Sequence, residues 1–288
     1  MSTQSITALP SLPPRALDSN KGNFGRILVV AVSRGMSGAA ILCASAALRA
    51  GAGLVKAAAP AAVQPIIAAG NPCYTTAALP DDAQGRLASN ALPALLALSE
   101  AHDVLAVGPG LGQSVELTTL LIDLIAKIAK PMVLDADGLN AFVGQTEKLR
   151  ARQGLHIITP HPGEFARLLQ VEIKTVQSRR RELATEFALE HSLVVVLKGH
   201  GTIVTDGARL YENTTGNPGM AKGGSGDLLT GIIAALLGQH LPPFEAAQLG
   251  VYLHGLAGDL ARDQIGEVSM VATDLLDFLP TAIRQQAV

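Results

Sequence analysis

Short β-branched apolar runs alternate with helical stretches along most of this 288-residue chain, and that alternation narrows the possible folds most. Residues 26–32 (RILVVAV), 104–107, 132–134, 156–158 and 193–197 are short, mostly apolar and bounded by Gly, Pro or Asp. A strand with one wet face alternates polar and apolar residues, whereas a strand covered on both faces reads as a nearly continuous apolar run. Helical patterns fill the intervals at 39–50, 115–129 and 179–191. Repeated strand–helix–strand units predict right-handed crossovers, a mainly parallel sheet and a three-layer α/β/α architecture. Residues 202–205 and 209–211 flank Asp206-Gly207-Ala208, a turn signal for a hairpin at one edge. Beyond Asp227 the chain reads as helical, with an apolar stripe at Leu228, Leu229, Ile232, Ile233, Leu236 and Leu237. Further helices are predicted at 245–263 and 273–286. No linker interrupts residues 26–288, so one domain is expected there, after an arm of residues 1–25 that carries three prolines.

Bulk properties remove several function classes. A net charge of −2 and low aromatic content, with no Trp, give neither the basic footprint nor the stacking platform of a nucleic-acid binder. The most apolar helix candidate, 39–48, is far too short to cross a bilayer, and the N-terminus lacks a signal-peptide core. The expectation is a cytoplasmic protein without a membrane partner. The two cysteines, Cys43 and Cys73, form no CxxC pair and suggest ordinary reduced thiols.

The chemistry concentrates in loops that follow predicted strands or open predicted helices, where ligands of open α/β sheets bind. Gly223-Gly224-Ser225-Gly226-Asp227 runs directly into the last long apolar helix. Small residues let backbone N–H groups approach a ligand, and the helix dipole adds favourable potential for an anion. This points to an anion hole at Gly223, Gly224, Ser225 and Gly226, with Asp227 as general base on a substrate hydroxyl. Asp227 could otherwise simply cap the helix. The Walker pattern GxxxxGK[ST] is absent, which disfavours the P-loop class.

Five other stretches join it. Gly108-Pro109-Gly110-Leu111-Gly112 follows strand 104–107 and reads as a ligand-contacting turn or merely a tight one. Thr159-Pro160-His161-Pro162-Gly163-Glu164 is a proline-stiffened loop with His161 and Glu164 facing outward. Glu164 could hold Mg²⁺ through water, or complement a helix dipole. Asp135-Ala136-Asp137 offers two carboxylates for a metal or hydroxyl, with helix capping by Asp137 as the alternative. Lys198, Gly199, His200, Gly201 and Thr202 supply a cation, flexible turns and a hydroxyl for a phosphate or ribose. Small residues at 33–40 admit either a ligand or close helix–sheet packing.

Taken in order, KGNFGRILVV, GMSGAAILCASAALRAGAGLV, VGPGLG, VLDADGLNAF, ITPHPGEFARLL, LKGHGTIV, NPGMAKGGSGDLLTGIIAALL and YLHGLAGDLA closely resemble the ADP-dependent (S)-NAD(P)H-hydrate dehydratases. These belong to the ribokinase-like superfamily, and the likeness runs from about residue 21 to 278. The resemblance implies a ribokinase-like α/β/α domain acting on the S epimer of 6-hydroxy-tetrahydro-NAD(P). ADP would phosphorylate the ring hydroxyl; phosphate would then leave, giving NAD(P)H and AMP. Residue by residue, it implies Asp227 as base and Ala40, Gly112 and His161 lining the hydrate site. Lys198, Gly199, His200, Gly201, Thr202 and Gly226 would contact the adenine nucleotide. It also implies Mg²⁺, a homotetramer and a partner enzyme, a separate NAD(P)H-hydrate epimerase. The first loop departs from the family: it reads Ala31-Val32-Ser33-Arg34 in place of the usual Gly-Gly-Ser run. The epimerase domain that many bacterial members carry in front is not part of these residues either. The competing readings are an ATP-using kinase of the same superfamily acting on a vitamin-like alcohol, and a non-catalytic nucleotide sensor.

Overall fold

Ten strands form one sheet in the computed structural model, which describes residues 3–151, 154 and 156–286. In chain order the elements are β1 (Gln4–Ser5), β2 (Arg26–Val30), α1 (Ser37–Arg49), β3 (Leu54–Pro60), α2 (Gln64–Gly70) and β4 (Thr75–Leu79). Next come α3 (Leu92–Glu100), β5 (Val104–Val107), α4 (Val115–Lys127), β6 (Met132–Leu134), α5 (Asp137–Asn140) and β7 (His156–Ile158). They are followed by α6 (Pro162–Leu169), α7 (Ile173–Ser178), α8 (Arg180–His191), β8 (Val194–Leu197), β9 (Ile203–Thr205) and β10 (Arg209–Glu212). Helices α9 (Ser225–Gly238), α10 (Pro243–Ile265) and α11 (Ala272–Gln286) complete the chain.

The strand order is β1-β10-β9-β8-β7-β6-β5-β2-β3-β4. All pairings are parallel except β8 with β9 and β9 with β10, the hairpin foreseen around Asp206-Gly207. The three-layer arrangement foreseen for the ribokinase-like class is therefore present. Alternation within each strand feeds two cores, as the period of two demands. Ile27, Val29, Val104, Ala106, Val133, Ile157 and Val196 face a layer containing α1, α9, α10 and α11. Leu28, Val30, Leu105, Val107, Leu134, Ile158 and Leu197 face the layer of α3, α4, α6 and α8.

Three strands escape the sequence pattern. β3 (LVKAAAP) and β4 (TTAAL) are alanine-rich, and alanine has little strand preference of its own. Pairing with β2 imposes their conformation. β1 pairs with β10 beside the hairpin, and Ile6, Leu9 and Leu12 of the N-terminal segment pack onto the first core.

Helix α9 is the central feature of the fold. Twelve of its fourteen residues are buried, well beyond the foreseen stripe, because α1, α10 and α11 cover the sides that the sheet leaves open. Its N-terminus carries Ser225, Gly226 and Asp227. The chain runs from β2 outward through β3 and β4, then returns to β5 on the other side of β2. That reversal between β2 and β5 opens a crevice at the carboxyl ends of the strands, where open α/β sheets bind ligands.

Candidate active site

The loops that follow β2, β5, β6, β7 and β8 stand side by side, since these five strands are neighbours in the sheet. They carry Ser33, Gly112, Asp135, His161 and Lys198 respectively, and α9 presents Asp227 beside them. A charged cluster sits at the centre. Lys198 Nζ donates to Asp135 Oδ1 at 2.7 Å and lies 3.9 Å from Glu164 Oε2. Thr230 Oγ1, one turn beyond Asp227, donates to Asp135 Oδ2 at 2.9 Å. Asp135 is almost fully buried, and both of its carboxylate oxygens are hydrogen-bonded, as a buried charge requires.

Asp227 is the perturbed group of the cluster. Burial, reinforced by the negative charge of Asp135, pushes its carboxyl up to about 7, against the opposing pull of Lys198. Burial alone would depress Lys198, but Asp135, Glu164 and Asp227 outweigh it and hold the ammonium above its ordinary value. A cation thus stands among three carboxylates, one of which sits at the pKa suited to accepting a proton near neutrality.

The glycine segment leaves several backbone donors open. Gly224 adopts φ 93°, turning the chain into α9. Among the described residues, none accepts a hydrogen bond from the N–H groups of Gly223, Gly224, Gly226 or Asp227. Ser225 Oγ is buried and likewise lacks a partner among them. An ordinary helix start satisfies such donors with a capping side chain, and Gly224 has none. Asp227 is the third residue of the helix, but no capping bond involves it.

The opposite wall is internally satisfied. Asp137 Oδ2 accepts from Gly112 N–H at 2.8 Å, and its Oδ1 accepts from Asn140 Nδ2 and Gln113 Nε2. The two aspartates of the DAD motif thus diverge: Asp135 serves the charged cluster, while Asp137 ties down the 108–112 loop. Ser33 Oγ donates to Gly110 O at 3.0 Å, and Val32 N–H donates to Pro109 O at 2.8 Å. At Gly108 the φ is 129°, and a Cβ would lie 1.8 Å from the Asp135 carbonyl oxygen, so only glycine fits between these loops. Val32 takes φ 73° with a fully buried side chain, a strained conformation for a β-branched residue.

His161 and Glu164 form a reciprocal cap on α6. His161 Nδ1 accepts from Gly163 and Glu164 N–H, and Glu164 Oε2 accepts from His161 N–H at 2.7 Å. Burial and the nearby Lys198 and Arg167 lower the imidazole pKa, which leaves a half-exposed neutral ring at the crevice. Glu164 is raised, chiefly by burial. Ala40, on the first turn of α1, is buried.

In the turn after β8, Gly199 and His200 are exposed and Thr202 Oγ1 donates to Gly199 O. Arg180, which the sequence did not single out, donates from α8 to the carbonyls of Leu197, Lys198 and Gly201 and fixes this turn. Thr230, too, was not singled out, although it lies within the quoted segment 217–237. Cys43 is buried, and burial with the charges of Asp227 and Asp135 raises its thiol pKa, which makes it unreactive; Cys73 is exposed. No group of three or more metal-binding side chains occurs among the described residues. No helix among them is long and apolar enough to cross a membrane.

The family model described as NAD(P)H-hydrate dehydratase matches residues 27–281. The bifunctional NAD(P)H-hydrate repair enzyme of Moorella thermoacetica is 48% identical over 95% of this chain and 52% of its own length. This chain thus spans about half the length of such bifunctional relatives. The ADP-dependent (S)-NAD(P)H-hydrate dehydratase of Neisseria meningitidis is 40% identical over 88% of this chain and 82% of its own. Among solved structures, the ADP/ATP-dependent NAD(P)H-hydrate dehydratase of Bacillus subtilis, co-crystallised with ATP and Mg²⁺, aligns over 96% of this chain and 94% of its own. Its TM-score is 0.81 at 32% identity. The architecture is that of the ribokinase-like superfamily.

Proposed function

Because the chain belongs to the NAD(P)H-hydrate dehydratase family, we propose that it dehydrates the S epimer of NAD(P)H hydrate at the expense of ADP. The observation that carries this reading is the juxtaposition of four N–H groups, unpartnered among the described residues, with a carboxylate of pKa about 7 at the head of α9. Hydroxide leaves a ring carbon poorly, and phosphorylation turns the same oxygen into a good leaving group. Asp227 removes the proton of the ring hydroxyl as its oxygen bonds to the terminal phosphorus of ADP, and AMP departs. Phosphate then leaves C6 with the C–O bonding pair as the neighbouring C5 gives up a proton, and the C5=C6 double bond of the reduced nicotinamide is restored. The N–H groups of Gly223, Gly224, Gly226 and Asp227 meet the charge that builds on the phosphoryl oxygens, the preorganised stabilisation that costs no reorganisation during the reaction.

Lys198, Gly199, His200, Gly201, Thr202 and Gly226 hold the adenine nucleotide in this reading, on the turn that Arg180 fixes. Gly112, His161 and the first turn of α1 at Ala40 line the hydrate side of the crevice. The donor set suits a cation carried on phosphates rather than a resident one, because Glu164 is a single carboxylate with one oxygen engaged in the α6 cap. Glu164 would hold Mg²⁺ through water, and the ion would supply charge neutralisation at the phosphates. Specificity for the S epimer calls for an epimerase acting on the other epimer, and we place the protein in the cytoplasm as a homotetramer.

A spectral assay tests the reading. Purified protein with hydrated NADPH and ADP regains the absorbance of the reduced nicotinamide. No recovery, together with ATP-driven phosphorylation of an alcohol, would replace it with a small-molecule kinase, which needs the same loop and base.

A further inference from the structure

One face of α10 grips the segment that carries the anion-binding loop, through residues to which no chemistry has so far been attached. The backbone carbonyls of Val251 and Tyr252 accept from Asn213 Nδ2 at 3.2 Å and from Thr215 Oγ1 at 2.9 Å. Asp259 accepts from Gly216 N–H at 2.8 Å through Oδ2 and from Asn217 Nδ2 at 3.0 Å through Oδ1. His254 Nε2 lies 2.9 Å from the carbonyl oxygen of Ser225. A carbonyl only accepts, so Nε2 carries the proton. Positions 251, 252, 255, 258 and 259 lie on one helical face, with 254 at its edge. The backbones approach closely there: a Cβ on Gly255 would stand 2.2 Å from Thr215 Oγ1, and one on Gly258 would stand 2.3 Å from Met220 Sδ.

The anchors bracket the loop. Asp259 holds it at Gly216 and Asn217, and His254 holds it at Ser225, so both ends of the span are fixed to one helix, while Lys222 between them donates to Val268 O beyond that helix. Two of the N–H groups without an acceptor among the described residues, those of Gly223 and Gly224, lie at the far end of this span, and the other two, of Gly226 and Asp227, follow directly after Ser225. Unpartnered donors keep one arrangement only if the backbone on either side is fixed, because a free glycine segment has many alternatives. His254 suits the task chemically. Burial, with some help from Lys198, drives its pKa down to about 4, so the ring stays neutral and adds no charge beside the phosphates.

We propose that His254 and Asp259 are positioning residues for the phosphate-binding loop, a two-point clamp that sets the geometry of its N–H groups for the nucleotide without touching it. This rests on the reading of the loop as the ADP site. The clamp acts on the nucleotide and not on the hydrate, whose wall is built from the loops after β2, β5 and β7. His254→Leu and Asp259→Ala separate the two sites. Gln places an amide N–H near the position of the imidazole Nε2, so His254→Gln is the matching rescue.

The experiment measures ADP binding in the presence of Mg²⁺ by titration calorimetry, alongside KM for ADP and for the hydrate, on the full chain. Folding of each variant is checked by its melting transition. His254→Leu and Asp259→Ala are expected to weaken ADP by about tenfold or more and to leave the hydrate KM within about twofold, the size expected for losing one or two buried hydrogen bonds. His254→Gln is expected to stay within about threefold of the parent. Asp259→Asn keeps one acceptor oxygen and the side-chain shape; it provides the reading should the larger changes unfold the protein, with an intermediate loss for ADP alone. The clamp is overturned if folded His254→Leu or Asp259→Asn binds ADP like the parent. It is equally overturned if His254→Gln loses as much as His254→Leu, or if both substrates weaken together. A parent that binds ADP but leaves the hydrate unchanged removes the proposed reaction, while the ADP comparison still decides the clamp.

Discussion

The 108–112 loop and the 223–227 loop are both glycine-rich and both border the crevice, yet their polar groups are in opposite states. In the first, Asp137, Ser33 and Val32 satisfy the backbone of the turn. In the second, the donors are left open and the one carboxylate is held near its proton. A satisfied loop is a wall, whose shape is set before any ligand arrives. An unsatisfied loop leaves donors free for a ligand, and in the proposed function it is the receptor that an anion completes. Glycine content alone does not tell these two uses apart; the partners do.

The largest effect that would break this contrast comes from Asp227. Asp227→Asn should lower turnover by roughly three orders of magnitude or more while ADP binding survives, as removal of a general base does. Normal turnover by that variant would end its role. The same change tests strain at the receptor. A carboxyl raised from 3.8 to about 7 keeps its proton in the folded state between those values, so folded stability falls as pH rises through that window and stays lower above it. Asp227→Asn should therefore be more stable than the parent at pH 8, by at most about 4 kcal/mol, and equal to it near pH 4. Denaturant melts at the two pH values measure the difference.

Next in size is the wall. Gly108→Ala puts a methyl onto the Asp135 carbonyl in a backbone conformation that alanine resists, and should cost on the order of 3 kcal/mol or more. Gly223→Ala is the mirror experiment. Nothing lies within 4 Å of the added Cβ, so stability should stay within about 0.5 kcal/mol while ADP binding weakens. Equal stability losses for the two alanines would erase the distinction between wall and receptor.

A smaller effect is expected at Asp137. Asp137→Ala frees the Gly112 N–H and should destabilise by about 1–3 kcal/mol, raising the KM for the hydrate but not for ADP. The least drastic probe is pH. A general base at Asp227 must be deprotonated to act, so under the proposed function kcat/KM should fall tenfold per unit below about pH 7. Asp135→Asn removes a charge that raises Asp227, so the midpoint should move to lower pH; an unmoved midpoint would assign that limb to another group.

Much of this was legible in the residue order. The runs 104–107, 132–134 and 156–158 are strands with the foreseen bounds, and α4, α8 and α10 fall within a few residues of their periodic patterns. These segments carry their own signal because burial on both faces, or on one helical stripe, dictates residue type locally. The same holds for the loops whose chemistry is written in glycine, proline and aspartate. β3 and β4 were illegible because alanine is indifferent to the strand state and pairing decides it. Thr230, Arg180, His254 and Asp259 were illegible as site residues because each acts through a partner more than fifteen residues away.

By itself, then, the sequence determined the alternation of elements, the mainly parallel sheet and which glycine-, lysine- and aspartate-bearing loops follow the strands. Each of these follows from short-range chemistry and from periodicity. Only the tertiary structure decided that Asp135 belongs to Lys198 while Asp137 belongs to Gly112, and that Asp227 stands near pH 7. Only it showed the segment that carries the glycine loop fixed at both ends to α10. Those facts depend on burial and on charges brought within a few ångströms by chain segments far apart, and no local pattern records them.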